Sequence, residues 1–255
     1  MADPLRYTPS VTTRPVPALR GSFITLEGPE GSGKTSHAEA LRARLTDAGF
    51  AVTLTREPGG TPTGERIRTI LLHPGTAESP AAHPDPRTEA LLFNAARAQL
   101  VAEVINPALA RGEVVVCARF ADSTLAYQGY GAGAPLDALR TLERFATDGL
   151  RPDLTILLDL PPELGLARKS ADETTRFEAG FDLAFHERVR AGFLALAEDE
   201  PDRFAVIDAS APFDDVFDTI TATVADRLPE LSAVRGRPRE AAADEPSAPP
   251  VRISR

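Results

Sequence analysis

The sequence predicts an α/β domain built on a doubly wound, five-stranded parallel sheet with helices on both faces. Five short apolar runs with β character alternate with segments of helical periodicity, which is typical of a covered parallel sheet. The prolines are denser at the two ends of the chain than in the middle. Nine of the 23 lie in the 47 residues of 1–20 and 229–255, and the other 14 lie in the 208 residues between. We therefore expect one folded domain, residues 21–228, between a disordered N-terminal arm, 1–20, and a disordered C-terminal tail, 229–255.

The elements follow one another in strand–helix order. The five predicted strands are residues 22–26, 51–55, 113–117, 154–158 and 204–207. After the first strand, Ala38, Leu41 and Leu45 repeat at helical spacing, and Gly49 is typical of the residue that follows a helix. Later helices are predicted over 89–109, 135–147, 181–197 and a last segment ending near 228. This succession predicts the doubly wound topology.

Composition excludes several classes of protein. A single cysteine, Cys117, cannot form an internal disulfide, which fits a reducing, cytoplasmic location. No apolar run approaches 18 residues, so we expect no membrane partner. A formal net charge of -9 lacks the positive field of a nucleic-acid binder, so we expect no nucleic-acid partner.

The strongest local motif follows the first predicted strand and opens the first predicted helix. Residues 28–35 match the pattern G-x-x-x-x-G-K-[ST] of a phosphate-binding loop. Its glycines let backbone N–H groups and the helix N-terminus face the phosphates of a nucleotide. Lys34 adds a positive charge, and the Thr35 hydroxyl is a magnesium ligand candidate together with the Glu30 carboxylate. The predicted ATP site is Gly28, Pro29, Glu30, Gly31, Ser32, Gly33, Lys34 and Thr35.

Further segments narrow the class of nucleotide-binding protein. They are Thr-Arg-Glu-Pro-Gly-Gly-Thr at 55–61, Leu-Phe-Asn-Ala-Ala-Arg at 92–97, Asp-Ser-Thr-Leu-Ala-Tyr-Gln-Gly at 122–129, and Arg-Pro-Asp-Leu-Thr at 151–155. With these motifs in this order, residues 22–228 resemble the bacterial thymidylate kinases, which are P-loop nucleoside monophosphate kinases. The resemblance implies phosphorylation of dTMP by ATP to dTDP for dTTP biosynthesis, with ATP and Mg²⁺ required. It also implies a homodimer, for which the apolar helix from Glu89 could supply a face.

The resemblance also implies roles for individual residues. Phe93 would stack on the thymine ring, and Arg97, on the same helix face, would donate to its O4. Ser123 and Gln128 would reach the pyrimidine edge, while Tyr127 would crowd the position of a ribose 2'-OH. These residues open a helix that we expect to be capped by Asp122 or Ser123. The implied dTMP site comprises Glu57, Pro58, Arg68, Phe93, Arg97, Arg119, Ser123, Tyr127 and Gln128.

A small mobile lid is predicted at about residues 168–178. Arg168 and Arg176 flank a polar stretch without an apolar stripe, which suits a loop that closes over phosphates. The resemblance implies that a lid arginine acts beside Lys34 and Arg119 as a catalytic group. Either lid arginine could instead be a surface charge.

The chain departs from the family pattern at the end of the third strand. Where the family has Asp-Arg, this sequence has Ala118-Arg119. Because alanine offers no oxygen to order magnesium and its waters, one interpretation is an enzyme with weakened turnover. In another interpretation, Glu27, Glu57 or Asp159 replaces the missing carboxylate.

Two alternative functions stay open, and a third is excluded. The chain could phosphorylate a different nucleotide or nucleoside, or it could be a non-catalytic nucleotide-binding module, given Ala118. A guanine-specific switch protein is excluded because neither Asn94 nor Asn106 is followed by Lys, so the Asn-Lys-x-Asp guanine reader is absent.

Overall fold

A computed structural model describes residues 20–72, 84–168 and 181–235 of the chain. The N-terminal arm up to residue 19, most of the C-terminal tail, and the lid from 169 onward, including Arg176, lie outside the described residues. Within the described ranges, no helix combines the length and apolar character needed to cross a bilayer.

The core of the fold is a five-stranded parallel sheet. Its strands are β1 (Phe23–Glu27), β2 (Val52–Arg56), β3 (Val114–Ala118), β4 (Leu154–Asp159) and β5 (Phe204–Asp208). They lie in the order β2-β3-β1-β4-β5, and every neighbouring pair is parallel. The predicted fold class is confirmed, and each strand lies within one residue of its predicted bounds.

Helices connect the strands on both faces of the sheet. They are α1 (Lys34–Asp47), α2 (Pro62–Leu72), α3 (Pro86–Leu100), α4 (Asn106–Ala110), α5 (Ala121–Thr124), α6 (Leu136–Thr147), α7 (Pro162–Ala167), α8 (Leu183–Asp199) and α9 (Phe213–Arg227). Two wider π-helical segments interrupt them. One, Val101–Ile105, joins α3 to α4, and the other, Leu125–Gly131, continues α5. The sequence did not predict these wider turns, which occur frequently at functional sites.

The predicted cap of α5 is wrong. The helix begins at Ala121 with Phe120 in the cap position, and no side chain caps it. The Asp122 carboxylate instead accepts hydrogen bonds from Arg203, at 2.6 and 2.9 Å. The Ser123 hydroxyl donates to Glu27 at 2.6 Å. Both side chains are therefore committed to tertiary partners rather than to the start of their own helix.

Successive side chains of each strand point to opposite faces of the sheet, so each strand contributes apolar contacts to both faces. Ile24 and Leu26 pack in the cluster that contains α1 and α9, whereas Phe23 packs with residues of α3 and α4. A third cluster lies between β4, β5 and α8 around Leu157 and Phe193. Because the strands are parallel, all their carboxyl ends meet at one edge of the sheet, where a ligand site is expected.

The C-terminal boundary of the domain lies beyond the predicted residue 228. A 3₁₀ helix, Pro229–Arg235, follows α9, and its Leu231 and Val234 are buried in the cluster that contains α1. Arg44 of α1 donates to the carbonyl oxygen of Val234 at 2.9 Å. The three-residue spacing of the two apolar side chains suits a 3₁₀ helix. Composition masked this short apolar pair because a proline and charged residues surround it.

Candidate active site

A cleft of about 380 Å³ opens at the carboxyl edge of the sheet. Residues after β1, β2 and β3 form its walls together with side chains from α2, α3 and the π-helical segment Leu125–Gly131. The predicted residues that line it are Glu30, Gly31, Gly33, Lys34, Thr35, Glu57, Pro58, Arg68, Phe93, Arg119, Ser123, Tyr127, Gln128 and Arg168. The structure thus brings most of the two predicted sites into one cavity.

The phosphate-binding loop encloses the Lys34 side chain. Its ammonium donates to the carbonyl oxygens of Gly28 and Pro29, at 3.0 and 2.6 Å, and to the Ser32 hydroxyl at 3.2 Å. These three residues therefore shape the loop from behind and do not line the cleft. Gly33 adopts a left-handed conformation, with φ 83°, and directs the chain into α1.

Helix α7 supports the phosphate-binding loop by direct backbone contact. A Cβ atom on Gly31 would lie 2.0 Å from the carbonyl oxygen of Gly165, and a Cβ on Gly165 would lie 2.1 Å from that of Glu30. Neither position can accept a side chain without moving backbone. Gly31 also has φ +70°, a conformation that L-residues other than glycine rarely adopt. Gly165 was not predicted to support the loop, because it is far from the loop in sequence.

Arg119 joins the two sides of the cleft. Its guanidinium donates to the Glu30 carboxylate at 2.6 Å and to the Tyr127 hydroxyl at 3.2 Å, and it lies over the Tyr127 ring. The Tyr127 hydroxyl donates to the same Glu30 oxygen at 2.9 Å. Burial raises the pKa of Tyr127 well above its usual value, so the phenol keeps this proton. The backbone of Arg119 is left-handed, with φ 68°, which is uncommon for a residue with a side chain.

Glu27 anchors the loop that carries Arg119. Its carboxyl group is fully buried and accepts hydrogen bonds from the Phe120 backbone N–H, at 2.7 Å, and from the Ser123 hydroxyl, at 2.6 Å. Burial, with the negative charge of Asp122, raises the pKa of Glu27 from 4.5 to about 7. Glu27 thus ties the end of β1 to the loop after β3.

Arg97 lies behind the cleft wall rather than in it. Its guanidinium donates to both oxygens of Glu57 and also to Asn94 Oδ1, the carbonyl oxygen of Phe120 and the Thr124 hydroxyl. Phe93, one helical turn away, does line the cleft. This separates two residues that were expected to face the ligand together, because the buried Glu57 carboxylate holds the guanidinium. The contact of Arg97 with a pyrimidine stays a prediction.

Arg68 and Arg168 each donate hydrogen bonds to backbone carbonyl oxygens, which hold their side chains in position. Arg68 lines the cleft and donates to the carbonyl oxygen of Pro58 at 2.9 Å, whereas its neighbour Arg66 is exposed. Arg168 donates to the carbonyl oxygens of Ala209 and Ser210, at 2.9 and 3.2 Å. The end of α7 is therefore held against the loop that follows β5.

Some cleft residues were not among those that the sequence predicted. Arg56, the last residue of β2, lines the cleft, as do Ser36, Leu72 and Thr124. The end of a parallel strand is a signal that could have identified Arg56. Glu89 does not line the cleft, and it was also missed, although it lies four residues before Phe93 and so shares its helix face. It is buried and accepts a hydrogen bond from Gln128.

Two carboxylates line this cleft, Glu30 and Glu57, and each accepts hydrogen bonds from an arginine. The Thr35 hydroxyl lies on its exposed wall, whereas Ala118 contributes only a methyl group. Across the described part of the chain, no group of three or more His, Cys, Asp or Glu side chains could hold a metal ion. This donor set fits Mg²⁺, which commonly keeps several waters and binds through substrate phosphates with few protein ligands.

The chain is similar to known thymidylate kinases along most of its length. The sequence model of the family described as thymidylate kinase matches residues 26–220. A thymidylate kinase from Deinococcus radiodurans is 54% identical over 209 residues, which cover 82% of this chain and 98% of that protein. One from Thermomicrobium roseum is 53% identical over 204 residues, covering 79% of this chain and 93% of that protein.

The fold comparison agrees with the sequence comparisons. A crystal structure of thymidylate kinase from Ehrlichia chaffeensis matches with a TM-score of 0.64 and 32% identity, covering 80% of this chain and 99% of that one. The family match spans the phosphate-binding loop and the segments that form the cleft. On this evidence, the chain belongs to the thymidylate kinase family.

Proposed function

We propose that the protein transfers the γ-phosphoryl group of ATP to dTMP, which yields ADP and dTDP. The observation that carries this proposal is the cleft itself. It places Lys34 of a phosphate-binding loop in the same cavity as Phe93, Tyr127 and Arg119. One wall suits a nucleoside triphosphate, and the other offers an aromatic face and a cation for a nucleoside monophosphate.

Positioning and charge neutralisation account for the chemistry. The phosphate of dTMP has a second pKa near ~6, so it is largely dianionic at neutral pH and needs no general base. Lys34 neutralises the phosphates of the donor, and Arg119 holds the phosphate of the acceptor near them. Arg119 is suited to this task because Glu30 and Tyr127 fix its guanidinium between the two sides.

The acceptor side of the cleft suits a pyrimidine deoxynucleotide. Phe93 offers a ring face, and Ser123 and Gln128 offer polar groups at the wall. The Tyr127 ring is buried against Phe185 and Phe193, with ring centroids at 6.3 and 6.1 Å. We expect this packing to hold the ring in place, so that it crowds the position of a ribose 2'-OH.

Thr35 is the proposed protein ligand of Mg²⁺, which supplies charge stabilisation at the phosphates when it is bound. Glu30 was the second predicted ligand, but its carboxylate accepts hydrogen bonds from Arg119 and Tyr127. Both of these hydrogen bonds are accepted by one carboxylate oxygen, Oε1, which holds Glu30 beside Arg119. We assign to Glu30 the orientation of Arg119 instead.

Ala118 is the observation that limits the proposed activity. The carboxylates that could replace the missing aspartate are each committed to another group. Glu57 binds Arg97, and Glu27 holds the loop after β3. Asp159 accepts from Arg190 at 2.7 and 2.8 Å. These commitments support substrate binding with reduced turnover, by a factor on the order of 10² or more.

A second candidate function is nucleotide binding without turnover, and Ala118 also favours it. Long incubation with ATP and dTMP separates the two. Slow formation of dTDP supports the kinase, whereas binding of dTMP with no product supports the non-catalytic module.

We also propose that the protein forms a homodimer. Three large apolar side chains are exposed on helices that pack side by side, namely Ile70 of α2, Leu91 of α3 and Phe145 of α6. The Phe145 side chain is 88% exposed. A second copy of the chain that covers this surface would remove its apolar area from water. A cytoplasmic location stays a prediction from the single cysteine.

A coupled assay of ADP release with dTMP tests the proposed function. We expect dTMP-dependent release, and we expect Lys34→Ala to abolish it because the donor phosphates lose their cation. Arg42→Ala is the matched control, since Arg42 is a basic residue on the exposed side of the same helix. Release that is independent of dTMP, or unchanged in Lys34→Ala, would contradict the proposal. The assay is run in parallel with dUMP, dGMP and thymidine to identify a different acceptor.

A further inference from the structure

Two buried polar side chains meet at the side of the cleft that contains Phe93 and Tyr127, which we call the acceptor wall. Glu89 lies in the first turn of α3, and Gln128 lies in the π-helical segment Leu125–Gly131. Both residues are at most 3% exposed. Gln128 Nε2 donates to Glu89 Oε2 at 3.1 Å. This contact joins two elements that form the same wall of the cleft.

The contact determines which way the Gln128 amide points. The Glu89 oxygen accepts this hydrogen bond, so its partner is the amide nitrogen of Gln128 and not the amide oxygen. The opposite amide orientation would bring Gln128 Oε1 against a carboxylate oxygen, which is repulsive. Glu89 lies in the first turn of a 15-residue helix, where a negative charge is favoured.

With its amide nitrogen bound to Glu89, Gln128 has its amide oxygen available on the cleft side. Gln128 lines the cleft, and its Oε1 accepts no hydrogen bond from the described residues. The buried polar atoms without a partner in that part of the chain are both histidine nitrogens, so Oε1 is not enclosed in the protein. Gln128 therefore offers a hydrogen-bond acceptor at the acceptor wall.

We propose that Glu89 is a positioning residue for base specificity, because it makes Gln128 present an acceptor to pyrimidines that carry an N–H at position 3. Thymine and uracil have this N–H, whereas cytosine has an acceptor nitrogen there. Against cytosine, the fixed Oε1 would face a second acceptor, which opposes binding. This inference rests on the proposed function, since it concerns the acceptor site of that reaction.

The test compares nucleotide selectivity in the wild type and Glu89→Gln. The variant keeps the size of the side chain but can donate as well as accept, so it no longer selects one orientation of Gln128. We expect the ratio of dTMP to dCMP affinity, measured by calorimetry without ATP, to fall about tenfold or more. The ratio of dTMP to dUMP should not change, because both bases carry the N–H.

Two further variants separate positioning from a general structural effect. Glu103→Gln is the matched control, since Glu103 also accepts from a glutamine, Gln99, but on the exposed side. It should leave all ratios unchanged. In a Gln128→Leu background, Glu89→Gln should no longer alter the ratio of dTMP to dCMP, because Glu89 acts through Gln128.

The outcomes of this test are distinct. A wild-type ratio in Glu89→Gln, or an equal shift in the Gln128→Leu background, overturns the inference while leaving the proposed function intact. A wild-type protein that does not bind dTMP overturns the proposed function itself. If Glu89→Gln melts below the assay temperature, Glu89→Asp replaces it. Its shorter side chain draws the carboxylate away from Gln128, and the same fall in the ratio is expected.

Discussion

Arg97 and Glu57 form a buried ion pair that joins the last turn of α3 to the loop after β2. Arg97 Nη2 lies 2.7 Å from Glu57 Oε2, and both side chains are at most 4% exposed. Burial raises the pKa of the Glu57 carboxyl, and the guanidinium opposes that shift. The same guanidinium donates to the carbonyl oxygen of Phe120, so one side chain connects α3 with the loops after β2 and β3.

Replacing Arg97 should therefore destabilise the folded protein. We expect Arg97→Ala to lower the free energy of unfolding by about 3–5 kcal/mol, because it leaves a buried carboxylate without its partner. Urea denaturation measures this loss. Arg66→Ala, on the exposed side of α2, is the control and should change stability by less than about 0.5 kcal/mol. An equally small effect of Arg97→Ala would show that the pair is not structural.

Gly165→Ala should weaken ATP binding. The added Cβ would lie 2.1 Å from the Glu30 carbonyl oxygen, so the phosphate-binding loop has to shift. Overpacking of this kind costs about 1–3 kcal/mol, and the displaced loop should bind ATP at least tenfold more weakly. Fluorescence titration with ATP measures the affinity. Leu164→Ala, on the same helix at an exposed position, should bind as the wild type does. An unchanged affinity in Gly165→Ala would refute the role of this contact.

Glu27 should make stability depend on pH. Its folded-state pKa of about 7 exceeds the usual 4.5, so the folded protein holds a proton that the unfolded chain releases between these values. This contribution is complete below pH 4.5 and is lost as the pH rises through about 7, at up to ~1.4 kcal/mol per pH unit. The negative charge of Asp122 raises the pKa of this carboxyl group, and the positive charge of Arg119 lowers it.

Glu27→Gln should flatten that decline, because the amide does not titrate. Urea denaturation between about pH 5 and pH 8 measures the slope. Glu39→Gln, at an exposed position of α1, should keep the wild-type slope. The prediction fails if Glu27→Gln and the wild type lose stability in parallel.

Ala118→Asp should raise turnover. Ala118 lies at the end of β3, next to Leu26 of β1 in the sheet, and it lines the cleft. A carboxylate there could order magnesium and its waters, so we expect kcat to increase on the order of 10²-fold. Steady-state kinetics with dTMP measures the change, and Ala102→Asp, at an exposed position, is the control. No rise in kcat would exclude the missing aspartate as the cause of weak activity.

Phe145→Glu should convert the proposed dimer into a monomer. A charge would take the place of the most exposed large apolar side chain on the surface formed by α2, α3 and α6. Burying such a side chain is worth about 1.5–3 kcal/mol per copy, which the variant loses. Sedimentation equilibrium measures the mass. Phe213→Glu, on α9 across the sheet, should leave the oligomeric state unchanged, and a dimeric Phe145→Glu would contradict this surface.

Much of the fold could be predicted because its signals are local. The first strand was predicted over residues 22–26 from its apolar run, and it lies at Phe23–Glu27 in the structure. The loop that follows it has a motif whose spacing is fixed by phosphate geometry. The segment Pro229–Arg235 was missed because two buried residues give no periodic pattern. The π-helical segment around Tyr127 and Gln128 was missed because no simple sequence rule marks a wider turn.

The sequence by itself determined the order of strands and helices, the phosphate-binding loop and most of the residue types in the cleft. Only the tertiary structure decided which carboxylate binds which arginine. Glu57 and Arg97 are 40 residues apart, and Glu30 and Arg119 are 89 residues apart. Periodicity and motifs report interactions within a few residues. The partners of buried charges depend instead on how the parallel strands bring distant loops to one edge of the sheet.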